Sequence, residues 1–374
     1  MSRPDTTTRI VIAGGGTGGH LFPGLALGEK LRQHGAHVTF VGTARGIEAK
    51  VIPQAGYPLS LIDISGLKRQ GVVATLRSLL RLPVAMFQTL GLLRKLRPQV
   101  VVGVGGYASG PVVLLAALLR IPTVVLEQNS VPGVTNRILS RVAHKIFTSF
   151  PHAGRYFPRR KTALLGNPVR QTIVDCQEAS VERTGPVRIL VLGGSLGAKA
   201  VNTLLVDAIA ELYKNPPASL SPLAEHIQVH HQTGPSDFES TKSRYAQLVG
   251  LSSAISVEPF ISDMAAAYRD CDLMIGRAGA TTIAELTTIG RPAVLIPFPF
   301  AADDHQTHNA RYLVENGAAR LLQQKDTTPQ LVASVLSELC SDRAVLQAMA
   351  SASRRLGKPD AATNIAEEVL KLAQ

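Results

Sequence analysis

Three times along the chain an apolar run empties into a glycine-rich loop and then into a helix-forming stretch, and few folds accommodate that repetition. The first run, Arg9-Ile10-Val11-Ile12-Ala13, leads into Gly14-Gly15-Gly16-Thr17-Gly18-Gly19-His20 and a helix expected to begin at Leu21. The second, residues 100–111, reads Val-Val-Val-Gly-Val-Gly-Gly-Tyr-Ala-Ser-Gly-Pro ahead of a helix over 112–119. The third, residues 188–199, reads Arg-Ile-Leu-Val-Leu-Gly-Gly-Ser-Leu-Gly-Ala-Lys ahead of an amphipathic stretch over 200–213. Strand, glycine loop and helix together make an anion cradle. Glycines let the backbone approach a phosphate, and a helix N-terminus directs unpaired N–H groups and about half a positive charge at it.

Between these loops the pattern alternates throughout. Strands are expected at 9–13, 37–42, 100–103, 122–126 and 145–148, separated by helices at 21–34, 46–55, 72–96, 111–119 and 133–142. The pattern restarts with strands at 187–192, 227–231, 255–258, 272–275, 293–296 and 319–322. Such alternation predicts α/β architecture with two Rossmann-like parallel-sheet domains in series. The joint falls near Leu164-Leu165-Gly166-Asn167-Pro168-Val169-Arg170, whose glycine and proline suit a hinge. Open parallel sheets bind ligands beyond the carboxyl ends of their strands, so two such domains facing a central cleft would line it with glycine loops.

Gly14, Gly16 and Gly19 also satisfy the dinucleotide fingerprint GxGxxG. That fingerprint needs an acid at the end of the second strand to hold the ribose hydroxyls. Here 37–42 continues as Thr43-Ala44-Arg45, with no acid before Glu48. Gly193-Gly194-Ser195-Leu196-Gly197 formally contains the hydrolase signature GxSxG. A hydrolase reading would have to enlist Asp272 and His305 without local support, and it leaves two glycine loops unexplained.

Cys176, Cys271 and Cys340 are odd in number and lack metal-ligand spacing, which reads as reduced packing thiols. The N-terminal residues are polar and the apolar run after them is too short for a signal peptide. No apolar stretch is long enough to span a bilayer. Charge is unevenly spread: residues 1–170 carry 22 Lys and Arg against five acids, whereas the remainder carries 17 against 22. Between Asp63 and Glu127 there is no acid, while Lys68, Arg69, Arg77, Arg81, Arg94, Lys95, Arg97 and Arg120 interleave with large apolar residues. Basic and apolar side chains without acids suit an anionic membrane surface. Aromatic content of 5% and the lack of a recognition motif argue against nucleic acid. A core helix with solvated arginines is the simpler alternative for 79–93, weakened by Pro83 and by apolar residues on more than one face.

Taken in order, GGGTGGHLFPG, GVGGYASGP, LEQN, GNPVR, GGSLGA, RAGATTIAEL and PFPFAADDHQTHNA span residues 14–310 and resemble the MurG family of peptidoglycan glycosyltransferases, in glycosyltransferase family 28. The resemblance implies the two-domain glycosyltransferase B fold and a hexosyltransferase. Its acceptor and membrane-binding domain would comprise 1–167, joined by a C-terminal helix from 358–374, and its UDP-GlcNAc-binding domain 168–357. The implied reaction is inverting transfer of N-acetylglucosamine from UDP-GlcNAc to the C4 hydroxyl of MurNAc in lipid I, giving lipid II. The implied setting is peripheral, on the cytoplasmic face of the bacterial inner membrane, with an anionic lipid surface and proteins of cell-wall synthesis and division as partners. A transferase of the same fold acting on diacylglycerol is the nearest enzymatic alternative, and a non-catalytic nucleotide-sugar binder is the nearest alternative of another class.

By the same motif matches, Thr17, Gly18 and Gly19 address the donor sugar and acceptor diphosphate, with Gly15, Gly16, Gly105, Gly106 and Tyr107 forming the acceptor diphosphate loops. Asn129 reaches the GlcNAc, Arg170 and Ser195 address the UDP diphosphate, and Ile261 borders the uracil. Ala280, Thr281, Thr282, Ile283, Ala284 and Glu285 open a helix under the nucleotide, with Glu285 accepting the ribose hydroxyls. Gln306, with help from Asp304, selects sugar hydroxyls. Leu196 departs from the family, where a glutamine often follows the loop serine. No metal or other cofactor is expected, because backbone N–H groups and helix N-termini near Ser195 can carry the leaving diphosphate. Asp303-Asp304-His305 reads as loop scaffold. His20 is the candidate general base, adjoining the first glycine loop and titrating near neutrality; the alternative is a histidine that merely holds the loop.

Overall fold

The computed structural model describes residues 7–44, 46–64, 72–178, 184–194 and 197–374, and for 72–82 and 178 the backbone only. The chain divides into two compact units, Met1–Arg170 with Lys358–Gln374, and Gln171–Gly357.

The first unit holds strands β1 (Arg9–Gly14), β2 (His37–Gly42), β3 (Leu59–Leu61), β4 (Val100–Gly105), β5 (Thr123–Glu127), β6 (Lys145–Thr148) and β7 (Thr162–Leu164). They form one sheet in the order β3-β2-β1-β4-β5-β6-β7, with every pairing parallel. Helices α1 (Gly18–Gln33), α2 (Glu48–Gln54), α3 (Val72–Leu96), α4 (Ser109–Leu118) and α5 (Val134–Leu139) connect them. Both faces of the sheet are covered, so β4 and β5 are buried at every residue and read as Val-rich runs instead of alternating patterns. Along β1, Ile10 and Ile12 join one core with Leu27 and Leu31, while Val11 and Ala13 join the opposite core with Val112 and Ala116. Strand alternation alone makes that partition.

Two features differ from the sequence expectation. Strands β3 and β7 were not expected; each is three residues long, too short to establish a period. Helix α1 begins at Gly18, three residues before the expected Leu21, with Thr17 in extended conformation as its N-cap. His20 therefore lies in the first turn of a helix.

The second unit holds β8 (Val187–Leu192), β9 (Ile227–Gln232), β10 (Ile255–Glu258), β11 (Leu273–Gly276), β12 (Ala293–Leu295) and β13 (Ala319–Leu321). Its parallel sheet runs β10-β9-β8-β11-β12-β13. Its helices are α6 (Gln171–Val174), α7 (Lys199–Lys214), α8 (Leu223–His226), α9 (Phe238–Ala246), α10 (Met264–Asp270), α11 (Ala280–Ile289), α12 (His305–Glu315), α13 (Pro329–Ser341) and α14 (Arg343–Leu356). The core packs α7 and α13 through Val201, Leu205, Ile209, Val332 and Leu336 against Val187, Ile189 and Val191 of β8. The last helix, α15 (Ala361–Lys371), returns to the first unit, where Ile365, Ala366 and Val369 join the core beside α1.

In each sheet the strand order reverses once, between β1 and β4 and between β8 and β11. Successive connections there leave toward opposite faces and open a crevice at the strand carboxyl ends. All three glycine loops follow one of these four strands.

Candidate active site

In the first unit the two glycine loops pack backbone against backbone. A Cβ at Gly14 would lie 2.6 Å from the Gly105 carbonyl oxygen, and one at Gly106 would lie 2.3 Å from the Gly15 oxygen. The β1–β4 register shifts at Ala13/Gly14, where the strands separate into these loops. Much of the glycine requirement is thus contact between the loops themselves. Gly16 differs, with φ +90 and nothing within 4 Å of its would-be Cβ.

Beneath the first loop lies Glu48, the first residue of α2 and 1% exposed. Its carboxylate accepts the Gly16 N–H at 2.8 Å, the Thr43 N–H at 3.0 Å and the Thr43 hydroxyl at 2.9 Å. Burial pushes its pKa up, but these hydrogen bonds outweigh burial and hold it below the ordinary glutamate value. The first acid after β2 therefore turns inward to tie the glycine loop after β1 to its own Thr43 turn, in contrast to the ribose-binding acid of a dinucleotide site.

His20 stands over the second loop. Its Nδ1 lies 3.2 Å from Gln128 Oε1, and the Gln128 amide donates to the Val104 carbonyl at 3.0 Å. A Cβ at Gly105 would sit 2.6 Å from Nδ1, so only glycine leaves room for the ring. Glu127, the last residue of β5, accepts the Asn129 N–H at 2.9 Å, the Gly133 N–H at 3.3 Å and Asn136 Nδ2 at 2.8 Å. Burial dominates these bonds and raises Glu127 to about 7. The turn that carries Gln128 and Asn129 is thus pinned from inside. Arg170, the last residue of the unit's first segment, stacks its guanidinium over the Phe22 ring of α1 at 5.1 Å.

On the opposite face, α3, α4 and α5 pack side by side. Helix α3 runs unbroken through Pro83 and buries Ala85, Thr89 and Leu93, at helical spacing. Its other side exposes Val84, Phe87 (74% exposed), Arg94 and Lys95. Leu118 and Leu119 at the end of α4, and Val134 and Ile138 of α5, are also exposed. On α3, exposed apolar and basic side chains therefore share one face, and the side chains of Arg77 and Arg81 lie outside the described residues.

In the second unit a cavity of about 530 Å³ opens at the carboxyl ends of β8 and β11. Gly193, Gly194, Gly197 and Ala198 line it ahead of the α7 N-terminus, where Lys199 is the first helical residue. Gly279, the N-cap of α11, and Thr282 form another wall. Phe298, Phe300, Gln306, Arg277 and Gln324 complete it. The Arg277 guanidinium donates to the carbonyls of Ile296 and Pro297, each at 3.0 Å, and to Gln324 Oε1 at 2.7 Å. Burial lowers its pKa. A cation held by neutral acceptors beside two helix N-termini suits an anionic ligand. Gln306 Oε1 accepts the Phe298 N–H at 2.9 Å, which directs its NH₂ elsewhere as a donor.

Behind the third glycine loop a directional network sets its position. Asn202 of α7 donates to the Thr233 carbonyl and to Asp237, each at 2.8 Å, so its oxygen accepts from His231 Nε2 at 3.1 Å. His231 Nδ1 then accepts from the Tyr245 hydroxyl at 3.1 Å. Burial, with the neighbouring His230 charge adding to it, lowers His231 to about 3, so the ring stays neutral. Gln232, next in β9, donates to the Gly194 carbonyl at 3.1 Å and accepts the Ile261 N–H at 2.9 Å.

Of the residues expected from sequence, Thr282 and Gln306 border the second unit's cavity together with the third glycine loop. Ser195 and Leu196 lie outside the described residues. Ile261 is buried and tied to that loop through Gln232. Ala280 and Ile283 are buried with α11, and Thr281 and Ala284 are half-buried. Glu285 is buried one turn beyond Thr282, and its Oε2 accepts the Tyr268 hydroxyl at 3.1 Å. Thr17, Gly18, Gly19 and His20 cap or open α1, and Tyr107 is exposed on the second loop. Gln128, Lys199, Gln232, Arg277 and Gln324 were not among the residues expected at the site, and Glu48 was weighed only as a ribose ligand. Lys199 and Arg277 carried a signal, each being basic beside a glycine loop; the amides carried none.

Residues 10–148 match the glycosyltransferase family 28 N-terminal domain, and residues 188–365 match its C-terminal domain. Over 368 residues the chain is 47% identical to the UDP-N-acetylglucosamine--N-acetylmuramyl-(pentapeptide) pyrophosphoryl-undecaprenol N-acetylglucosamine transferase of Anaeromyxobacter dehalogenans, covering 98% of this chain and 93% of that protein. The Myxococcus xanthus protein of the same name is 44% identical, with 97% and 93% covered. Among solved structures, Acinetobacter baumannii MurG superposes with a TM-score of 0.78 at 34% identity, covering 97% of this chain and 99% of that one. The glycotransferase of kitacinnamycin, 17% identical with a TM-score of 0.71 and coverage of 98% and 100%, shares the fold. Two parallel-sheet units with these matches give the glycosyltransferase B fold, and the chain belongs to glycosyltransferase family 28.

Proposed function

We propose that this protein transfers N-acetylglucosamine from UDP-GlcNAc to the C4 hydroxyl of MurNAc in lipid I, with inversion at the anomeric carbon, giving lipid II for peptidoglycan. The observation that carries the reading is the 47% identity over 98% of the chain to a transferase of that name. The donor belongs to the second unit's cavity, whose volume of about 530 Å³ suits a nucleotide sugar. The lipid-linked acceptor belongs to the first unit.

In this mechanism His20 takes the proton from the acceptor C4 hydroxyl as its oxygen attacks the anomeric carbon of GlcNAc. The bond from that carbon to the UDP oxygen breaks on the opposite face, and UDP departs with the electron pair. Charge on the leaving diphosphate is met by N–H groups of the third glycine loop, the α7 N-terminus, Lys199, Arg277 and Ser195, with Arg170 assisting. Glu285 accepts from the ribose, Ile261 borders the uracil, and Gln306 and Asn129 address sugar hydroxyls. The loops at Gly15, Gly16, Gly105, Gly106 and Tyr107, with Thr17, Gly18 and Gly19, receive the acceptor diphosphate and donor sugar. Because protein donors carry the leaving charge, transfer is expected to persist in excess EDTA.

The exposed apolar and basic face of α3, α4 and α5 docks on an anionic membrane surface, which supports a peripheral location on the cytoplasmic face where both substrates meet. No helix among the described residues is long and apolar enough to cross a membrane. Radiolabelled UDP-GlcNAc offered with a short-chain lipid I analogue or with diacylglycerol tests the acceptor: label is expected in the first product only, and label in diacylglycerol would reassign the acceptor. His20→Ala is expected to lower turnover by about 10² or more, the scale of a lost general base, with donor affinity retained.

A further inference from the structure

We propose that Gln128 is a positioning residue that fixes His20 as its Nδ1–H tautomer, leaving Nε2 as the ring atom that takes the acceptor's proton. The inference rests on the assignment of His20 as general base.

A backbone carbonyl can only accept, so the Gln128 group that lies 3.0 Å from the Val104 oxygen is its NH₂. The planar amide then presents Oε1 on its other side, 3.2 Å from His20 Nδ1. An amide oxygen has no proton to give, so Nδ1 must donate. In a neutral imidazole the lone pair then resides on Nε2. Gln128 is 1% exposed, so water does not compete for its amide.

The ring's freedom is limited from the other side as well. A Cβ at Gly105 would lie 2.6 Å from Nδ1 and 2.7 Å from Cε1, so the backbone of the second glycine loop closes against the edge of the ring that faces Gln128. The relay links the end of β4, the end of β5 and the first turn of α1. Two of these segments flank the switch point of the sheet. A neutral amide in this place orients the imidazole without adding a negative charge that would stabilise the imidazolium, in contrast to the carboxylate partner of a catalytic triad.

Two substitutions separate this role from a structural one. Gln128→Met keeps the volume and loses both hydrogen bonds. Gln128→Glu keeps an oxygen acceptor toward Nδ1 but cannot donate to Val104 while ionised. The readout is the pair of ring ¹⁵N chemical shifts of His20 in the full-length protein, assigned by loss of the signals in His20→Ala. Alongside it, kcat and KM for UDP-GlcNAc are measured with the lipid I analogue. The expected wild-type spectrum has Nδ1 protonated and Nε2 not. Gln128→Met is expected to mix the tautomers and lower kcat by about tenfold or more with KM little changed, since orientation of the base acts on the chemical step. Gln128→Glu is expected to keep the wild-type tautomer and a higher kcat than Gln128→Met. A wild-type His20 protonated at Nε2 would overturn the proposal, as would a folded Gln128→Met protein with unchanged tautomer and turnover, or Glu and Met variants equally impaired in both readouts. Near-normal turnover of His20→Ala beside an intact wild-type tautomer would instead overturn the assignment of His20 as base.

Discussion

The Gly16 N–H donates to the Glu48 carboxylate at 2.8 Å, so the most open glycine of the first loop is anchored from below by a buried anion. That bond directs the Gly16 N–H into the protein, and ligands must be met by other groups of the loop. Glu48→Ala leaves the Gly16 and Thr43 N–H groups without this acceptor. It is expected to destabilise the protein by about 1.5–3 kcal/mol, the scale of a hydrogen bond to a charged group, since the part-buried donors can turn to water. Glu48 has a folded pKa below 4.5, so its stabilisation is present above that value and is lost as pH falls through the folded pKa. Urea unfolding of wild type and variant should therefore differ most at neutral pH and converge on acidification. A constant difference across pH would contradict the assignment.

Neutral His231 gives a second pH signature. Its pKa falls from 6.5 unfolded to about 3 in the fold, so its contribution is complete above 6.5 and is lost as pH drops from there toward 3. Within that window His231→Gln is expected to be less steeply destabilised by acid, by up to about 1.4 kcal/mol per pH unit, the value of one proton. Equilibrium unfolding at several pH values checks it; identical slopes would mean that His231 titrates normally.

Much of the architecture was legible because both sheets are covered on two faces, which turns β1, β4, β5 and β8 into unmistakable apolar runs. The three-residue edge strands β3 and β7 gave no period, and the start of α1 was hidden because glycines at 18 and 19 read as loop. At the site, glycine loops, Glu285 and Gln306 stood out through their motifs. Gln128, Gln232 and Asn202 did not, since an amide acquires meaning only from what lies on either side of it. Glu48 was noticed for arriving too late in sequence to hold a ribose, and only the fold reveals what it does instead.

Glu285 carries two candidate duties, a ribose contact and the bond to the Tyr268 hydroxyl at 3.1 Å. Glu285→Ala is expected to raise KM for UDP-GlcNAc about tenfold or more, on the scale of a lost charged hydrogen bond, and to leave KM for the lipid I analogue nearly unchanged. Tyr268→Phe removes only the internal bond and should change donor KM little. Equal effects of the two variants would assign Glu285 to structure alone.

The exposed face of α3 should bind anionic vesicles in a salt-sensitive way, because attraction of surface charges is screened over about 8 Å at physiological ionic strength. Changing Arg77, Arg81, Arg94 and Lys95 to glutamine, or Phe87 to serine, is expected to reduce co-sedimentation and slow transfer to membrane-embedded lipid I. Transfer to a soluble short-chain acceptor should be retained. Normal vesicle binding by both variants would move the contact to another surface.

Transfer itself is read out by product analysis after purified protein is incubated with UDP-[¹⁴C]GlcNAc and a lipid I analogue. One labelled lipid product carrying a β-1,4-linked GlcNAc-MurNAc disaccharide is expected, formed in step with UDP. UDP release without labelled lipid, an α-linkage, or label attached anywhere but the MurNAc C4 oxygen would contradict it.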